Sequence, residues 1–305
     1  MFQGRSNDFL AAITDIGRQR HDGVFPRLSP HPPRSPRPAQ RGFTLIEAIM
    51  VIVITGIVAA MVAVFIRRPI DAYMDTARRA ALADIADTAA RFIARDVQRA
   101  LPNSARSGNP AFLEFVPVVA AGRYRRDAGI SSSDEPLDFG GPGKTFDVLG
   151  PAIDIPANAS LVVYNLGIPG ADVYETNSKV RRPATPGTNL DKVTFSGDPL
   201  AWTQDSPGRH FQIVVAPVSY VCDFATGTLW RYSGYAFQEN QPLSVADLNG
   251  LGAARAPLAT RLSACNFTYG PGPLQQNGLV SMSLSFSQDG ETVTLLHQVN
   301  IDNVP

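Results

Sequence analysis

Residues 41–62 read RGFTLIEAIMVIVITGIVAAMV and carry one acidic residue, Glu47, in an otherwise apolar run. Between residues 43 and 66, Glu47 is the only ionisable side chain. As an α-helix this segment would be about 36 Å long, which exceeds the roughly 30 Å hydrocarbon core of a bilayer. The sequence therefore predicts a transmembrane helix over 43–66, in which an uncompensated charge on Glu47 would cost about 2.5–3.5 kcal/mol.

The helix is predicted to continue beyond the membrane over 67–101. Apolar residues recur there at steps of three and four, with Asp and Arg between them, which is the pattern of a helix that buries one face. Pro102 ends this pattern, because proline cannot continue a helix. The predicted buried stripe comprises Ile70, Met74, Ala77, Ala81, Ile85, Ala89, Phe92, Ile93 and Val97.

Residues 102–305 are predicted to form a β-rich globular domain. Short runs of β-branched and aromatic residues are separated there by Gly, Pro, Asn and Asp, which is typical of an antiparallel sheet with long loops. The fold class is therefore α+β, with a long N-terminal helix whose second half packs on the sheet. The predicted strands cover 112–119, 160–166, 191–196, 211–224, 228–235 and 261–269.

The C-terminal hairpin is predicted in the most detail. Apolar and polar residues alternate on both sides of Asp289 and Gly290, a pair suited to a two-residue type I′ turn. The alternation requires one apolar face, on which His297 is expected as a core histidine. Pairing about the turn sets Phe286 opposite Val293, Leu284 opposite Leu295, Met282 opposite His297 and Val280 opposite Val299.

Two cysteines, Cys222 and Cys265, lie in the predicted β domain. A disulfide between them would suit an extracytoplasmic domain and would stabilise it by about 4 kcal/mol in the chain-entropy model. Two buried free thiols are the alternative. Neither cysteine has a neighbouring His or a CxxC partner, so metal and redox roles are not expected.

Other functional classes lack support in the sequence. The formal net charge is zero, and no basic face indicates a nucleic-acid partner. The stretch DFGGPGKT (138–145) nearly matches a phosphate-binding loop, but Asp138 stands where the pattern requires glycine. Asp247 and Asn249 in DLNG are expected in a turn rather than at calcium. No cofactor, metal or catalytic residue is therefore predicted.

The stretch RGFTLIE and the apolar run after it resemble the N-terminus of type IV prepilins and of the related pseudopilins. In that family a membrane-embedded prepilin peptidase removes a cytoplasmic leader after the glycine and methylates the new amine. The resemblance implies a leader over 1–42, cleavage between Gly42 and Phe43, and N-methylation of Phe43. In a filament, the Glu47 carboxylate would then meet the Phe43 ammonium of a neighbouring subunit, so that each buried charge compensates the other.

Alternatives to this interpretation stay open. Hydropathy alone also fits a signal anchor, and the Glu47 carboxylate could reach the lipid headgroups without a protein partner. A leader of 42 residues would be long, which indicates either an extended cytoplasmic leader or a translation start placed too far upstream. Residues 23–42 and 67–86 each contain four arginines, so charge does not set the orientation.

Segments of the β domain resemble the large O-type minor pilins of mannose-sensitive haemagglutinin (MSHA) type IV pilus systems. The resemblance implies a pilin-like fold and a non-enzymatic minor pilin that helps pilus assembly, initiation or capping, with a possible part in adhesion or motility. It also implies a single-pass protein of the inner membrane with a periplasmic C-terminal domain. The segments are FDVLGP (146–151), LVVYNLGIPGADVY (161–174), PVSYVCD (217–223), GTLWRYSGY (227–235), CNFTY (265–269) and HQVNIDNVP (297–305).

The implied partners are the prepilin peptidase, other major and minor pilin subunits and the inner-membrane assembly platform. A J-type minor pseudopilin of a type II secretion system would share this architecture. A signal-anchored periplasmic enzyme or binding protein is the alternative from another class. It would require polar groups converging on a pocket, and the sequence indicates none.

Overall fold

The computed structural model describes residues 42–131, 133–197, 205–271 and 277–305. The predicted leader therefore lies outside the described residues, except for Gly42. The architecture is α+β, as predicted: one long N-terminal helix precedes antiparallel sheets. The chain divides into two compact units, Met1–Met61 and Val62–Pro305.

Helix α1 spans Leu45–Val97, slightly less than the predicted 43–101. After Val97 the chain turns, and Ala100 forms an isolated antiparallel bridge with Pro117. Residues 98–101 therefore lie outside α1, which ends before Pro102. Pro69 lies inside α1, where its ring removes one backbone donor.

The buried stripe of α1 begins later than predicted. Within the predicted set, Ala89, Ile93 and Val97 are buried and Ile85 is partly buried, whereas Ile70 and Met74 are about half exposed. Periodicity shows which residues share a helix face, but it does not show where the sheet that covers this face begins. The residues of α1 that are fully or nearly buried are Leu82, Ala86, Ala89, Ala90, Ile93, Ala94 and Val97.

The strands form several sheets rather than the single sheet that the sequence predicted. Numbered in chain order, the five-stranded sheet has the order β1 (Arg106–Asn109), β2 (Phe112–Phe115), β11 (Val218–Asp223), β12 (Thr228–Ser233), β13 (Ala254–Thr260). The four-stranded sheet has the order β3 (Val118–Arg123), β10 (His210–Val214), β6 (Ser160–Val162), β7 (Arg181–Pro183). The three-stranded sheet has the order β14 (Leu262–Pro271), β15 (Asn277–Gln288), β16 (Glu291–Asp302).

Two ribbons and a short helix complete the described fold. The ribbons pair β4 (Thr145–Asp147) with β9 (Lys192–Thr194) and β5 (Ile153–Ile155) with β8 (Gly187–Leu190). Helix α2 covers Val245–Gly250 and is capped by the Ser244 side chain, which accepts a hydrogen bond from the backbone N–H of Asp247. The DLNG stretch thus lies in a capped helix.

Two prolines explain why the predicted runs 112–119 and 211–224 are each divided. Pro117 separates β2 from β3, and Pro217 separates β10 from β11. Proline cannot donate to a strand ladder, so it interrupts a central strand. At each proline the chain passes between the five-stranded and the four-stranded sheet.

The C-terminal hairpin has the predicted register. Strands β15 and β16 pair without a shift from Asn277↔Asp302 to Gln288↔Glu291, with Phe286 opposite Val293 and Leu284 opposite Leu295. Asp289 and Gly290 both have positive φ, as a type I′ turn requires. The face that contains these pairs is buried on β15 but only partly buried over much of β16.

The main core lies between α1, the five-stranded sheet and the three-stranded sheet. The buried stripe of α1 joins one cluster with Phe115 and Tyr220 of the former sheet and Met282 and Phe286 of the latter. Alanines dominate the stripe, so the helix backbone approaches the sheets closely. A second cluster, around Tyr124, Phe146 and Phe211, contains residues of the four-stranded sheet and of the two ribbons.

Candidate processing and assembly site

The start of α1 is fixed by Thr44. Its Oγ1 accepts a hydrogen bond from the backbone N–H of Glu47 at 3.3 Å, and its carbonyl accepts one from Ala48 at 3.1 Å. A threonine that bonds the third residue of a helix is an N-cap, and T-x-x-E is the capping-box spacing. Sequence reasoning assigned Thr44 no role, although the letters TLIE contain this signal.

The predicted cleavage position lies immediately before the helix. Residues 42–44 are outside regular structure, Gly42 has open space around it, and Phe43 is 75% exposed. A peptide bond outside a helix is free of intrahelical hydrogen bonds. The geometry around Gly42 and Phe43 is therefore compatible with access by a peptidase.

Glu47 lies in the first turn of α1 and is exposed. A carboxylate is stabilised there by the positive end of the helix dipole. None of the ion pairs among the described residues includes Glu47. Of the residues that the structure describes, none therefore compensates this charge at short range.

The first part of α1 is long and apolar enough to cross a membrane. Its most apolar window of 18 residues has a mean hydropathy of 3.0, and none of that window is buried within the structure. Exposing such a run to water would be unfavourable, at about 25 cal/mol for each Å² of apolar surface. This part of α1 therefore fits a membrane anchor.

A second acid in apolar surroundings, Glu114 on β2, has partners within the chain. Its side chain is fully buried, Arg106 Nε donates to its Oε2 at 2.6 Å, and the Tyr235 hydroxyl donates to its Oε1 at 2.9 Å. The Arg106 guanidinium also stacks over the Tyr174 ring at 3.6 Å. Burial raises the pKa of Glu114, and Arg106 and Tyr235 oppose this rise.

The ion pair of Asp96 and Arg231 connects the end of α1 to the five-stranded sheet. Asp96 Oδ2 accepts hydrogen bonds from the Tyr220 hydroxyl at 2.7 Å and from Arg231 Nε at 2.9 Å. Burial and the neighbouring Asp96 carboxylate raise the pKa of Tyr220 well above its usual range, so Tyr220 stays a donor.

The two cysteines form a disulfide. Cys222 on β11 is joined to Cys265 on β14, and their Cα atoms are 6.4 Å apart. The bond connects the five-stranded sheet to the three-stranded sheet, beneath which α1 packs. The predicted disulfide is thus present, and the alternative of two free thiols is not.

A cavity of about 740 Å³ is lined in part by the stretch that resembles a phosphate-binding loop. The Asp138 carboxylate accepts hydrogen bonds from the backbone N–H groups of Gly141 and Gly143, at 3.2 and 3.3 Å. A phosphate would require such N–H groups to be free. The loop therefore satisfies its own donors. Among the described residues, no group of three His, Cys, Asp or Glu could hold a metal ion.

Comparison with known proteins identifies one motif. The family model described as "Prokaryotic N-terminal methylation motif" matches residues 37–63, which include Gly42, Phe43, Glu47 and most of the apolar run. No curated protein and no solved structure matches the chain. The motif indicates a type IV pilin-like or pseudopilin-like protein, and together with the apolar helix it fits a membrane-anchored one.

Proposed function

We propose that this chain is a minor type IV pilin that takes part in the assembly, initiation or capping of a pilus of the MSHA type. The observation that carries the proposal is the methylation motif over 37–63, followed by an unburied apolar helix with one acid in its first turn. The motif suggests a structural rather than an enzymatic role. The O-type segments of the β domain support the finer assignment to a minor subunit.

The proposed domain order follows from this assignment. Residues 1–42 form a cytoplasmic leader, 43–66 span the inner membrane, 67–101 continue the span, and 102–305 form the periplasmic domain. The disulfide between Cys222 and Cys265 supports this orientation, because disulfides persist in oxidising compartments such as the periplasm. Leader removal by prepilin peptidase precedes incorporation into the filament through the assembly platform.

Glu47 has a defined part in this function. Cleavage after Gly42 creates an ammonium at Phe43, and N-methylation preserves its charge. The Glu47 carboxylate of one subunit binds the Phe43 ammonium of a neighbouring pilin. Two unpaired charges at bilayer depth cost more free energy than the same two charges as an ion pair. The absence of a described partner for Glu47 within its own chain supports a partner on another subunit.

A minor pseudopilin of a type II secretion system would carry the same motif and anchor. The two assignments differ in the phenotype of a deletion strain. Loss of surface pili with normal protein secretion supports the pilin, whereas loss of secretion with normal pili supports the pseudopilin.

Processing tests the proposal directly. Co-expression of the full chain with a prepilin peptidase should remove residues 1–42, and mass spectrometry should find N-methyl-Phe43 at the new terminus. Gly42→Ala should block cleavage, whereas Gly56→Ala is a matched control, because Gly56 also has open space around it. An intact leader on wild-type protein in a peptidase-positive host would contradict the pilin assignment.

A further inference from the structure

The side chain of Thr44 determines where helix α1 begins. The helix starts at Leu45, and the Thr44 carbonyl accepts a hydrogen bond from the backbone N–H of Ala48 at 3.1 Å. Thr44 Oγ1 accepts one from the N–H of Glu47 at 3.3 Å, a group that has no carbonyl partner one turn earlier in the helix. Thr44 therefore stabilises a helix that starts directly after it, and not one that starts further upstream.

The peptide bond between Gly42 and Phe43 lies just outside this helix. Residues 42–44 have no regular structure, and among the described residues no hydrogen bond involves the Gly42 carbonyl or the Phe43 N–H. Hydrolysis of this bond adds water to the Gly42 carbonyl carbon, breaks its bond to nitrogen and releases a carboxylate and the Phe43 amine. The carbonyl oxygen gains negative charge in that step, and donors of the peptidase must reach it. Cleavage therefore requires a Gly42 carbonyl that is free of the helix.

The nearest competing start of the helix is at Gly42 itself. Glycine is about as favourable as threonine in the N-cap position, whereas Phe43, which lies between them, is not a preferred N-cap residue. In a helix capped by Gly42, the Gly42 carbonyl would accept a hydrogen bond from the N–H of Ile46, four residues later. The two starts thus differ in whether the Gly42 carbonyl is available for hydrolysis.

We propose that Thr44 is a positioning residue for leader removal, because its side-chain oxygen keeps the start of α1 at Leu45 and the Gly42 carbonyl outside the helix. The inference rests on the proposed function, since the reaction is that of the prepilin peptidase. Thr44 acts through the backbone, so another side chain with an N-cap acceptor should replace it. The effect is on the rate of cleavage, and a slower variant still yields mature protein in growing cells.

Four substitutions separate the acceptor of Thr44 from its shape. Thr44→Ser and Thr44→Asn keep an N-cap acceptor, Thr44→Val keeps the shape without the acceptor, and Thr44→Ala keeps neither. Leader removal from the full chain in detergent by purified prepilin peptidase is followed at several substrate concentrations. The first two variants should be cleaved at about the wild-type rate. The last two should have a kcat/KM about two- to fivefold lower, because a smaller fraction of their molecules has the cleavable start.

The order of the rates decides between capping and direct contact with the peptidase. Thr44→Val at the wild-type rate, or Thr44→Asn as slow as Thr44→Ala, would overturn the proposal, because the rates would then follow shape. Equal rates in wild type and all four variants would also overturn it and would leave the proposed function intact. An uncleaved wild-type chain would instead contradict the proposed function.

The peptide bond itself supplies a readout that needs no peptidase. Gly42 and Phe43 form the only Gly-Phe pair in the sequence, so isotope labels on glycine carbonyl carbons and phenylalanine nitrogens give a single correlation for this bond in nuclear magnetic resonance. In the full chain in micelles, the Gly42 carbonyl shift should move towards helical values in Thr44→Ala and Thr44→Val. It should stay at the wild-type value in Thr44→Ser and Thr44→Asn. A shift that is the same in wild type and all four variants would overturn the proposal, whatever the peptidase does.

Discussion

Glu47 and Glu114 are two acids in apolar surroundings, and the chain treats them differently. Glu114 is fully buried and accepts hydrogen bonds from Arg106 and Tyr235. Glu47 is exposed on an apolar helix, and no described residue forms an ion pair with it. A buried charge is tolerated in a fold only when it is paired and hydrogen-bonded. The contrast is that Glu114 has its partners within the fold, whereas none of the ion pairs among the described residues includes Glu47.

The same contrast divides helix α1. Its large apolar residues before Val62 are exposed. From Leu82 onward, a buried alanine-rich stripe alternates with charged residues such as Asp87 and Arg91. The second part is stabilised by burial in a protein core. The first part has no such cover within the structure, so its stability as a helix depends on lipid or on other helices.

The largest effect is expected at Glu47. Glu47→Ala and Glu47→Gln should both lower the ratio of this protein in sheared filaments to that in membranes by tenfold or more, with leader cleavage retained. Glutamine keeps the side-chain shape and the T-x-x-Q spacing of a capping box but cannot neutralise an ammonium, so equal losses in both variants identify the charge as the cause.

Thr44→Ala is the matched control for this experiment. It removes the helix cap, which is worth about 1 kcal/mol, but it leaves the carboxylate. Incorporation near the wild-type level is expected. A wild-type ratio for both Glu47 variants would instead support a carboxylate that reaches the headgroups without a protein partner.

The next largest effect is expected at Glu114, on the stability of the folded domain. Glu114→Ala leaves the mostly buried Arg106 without its carboxylate, so the free energy of unfolding should fall by about 3–5 kcal/mol. The double variant Glu114→Leu with Arg106→Met should lose less than the single variant, because no buried charge is left unpaired. Chemical denaturation of the detergent-solubilised chain measures both, and equal losses would refute a role for the unpaired charge.

Loss of the disulfide should have the next largest effect on the free energy of unfolding. Cys222→Ser should lower the free energy of unfolding by about 2–4 kcal/mol, because the open chain gains conformational entropy when it unfolds. Cys265→Ser should give the same loss, and the double variant should add little to either. Additive losses would mean that the thiols act separately and that the bond is absent from the exported protein.

The hairpin and the sheet division show which parts of the fold were predictable. The register of β15 and β16 follows from local information, because a two-residue turn and strict alternation permit only one pairing. The division into several sheets depends on Pro117 and Pro217. Each proline interrupts a strand locally, but the strands that pair with the chain after it are distant in sequence. Local patterns therefore predicted most strands but not their sheets.

The site shows the same limit. The motif around Gly42, Phe43 and Glu47 is a contiguous string, so the sequence alone identified it, and the two cysteines admitted only one internal pairing. The network of Glu114, Arg106 and Tyr235 was not predicted. These three residues lie in different segments of the chain. No spacing in the sequence indicates that the fold brings them together.

The smallest expected effect concerns pH and the ion pairs of β4 and β9. Asp147 accepts hydrogen bonds from the Glu135 backbone N–H at 3.0 Å and from Arg125 at 2.8 Å, and Lys192 lies 3.3 Å away. Desolvation alone would raise the pKa of Asp147, but these donors outweigh it and lower the pKa below its usual value.

A lowered carboxyl pKa stabilises the folded state above the unfolded pKa of about 3.9, and this contribution is lost as pH falls through the folded value. Asp147→Asn should therefore be less stable than wild type near pH 7, by about 1 kcal/mol. The two unfolding curves should converge below about pH 3, where the wild-type carboxyl is largely protonated. Asp223→Asn is the control, because among the described residues the Asp223 carboxylate accepts hydrogen bonds from its own turn alone, at Ala225 and Thr226. A constant difference between wild type and Asp147→Asn at all pH values would show that shape, rather than charge, accounts for the role of Asp147.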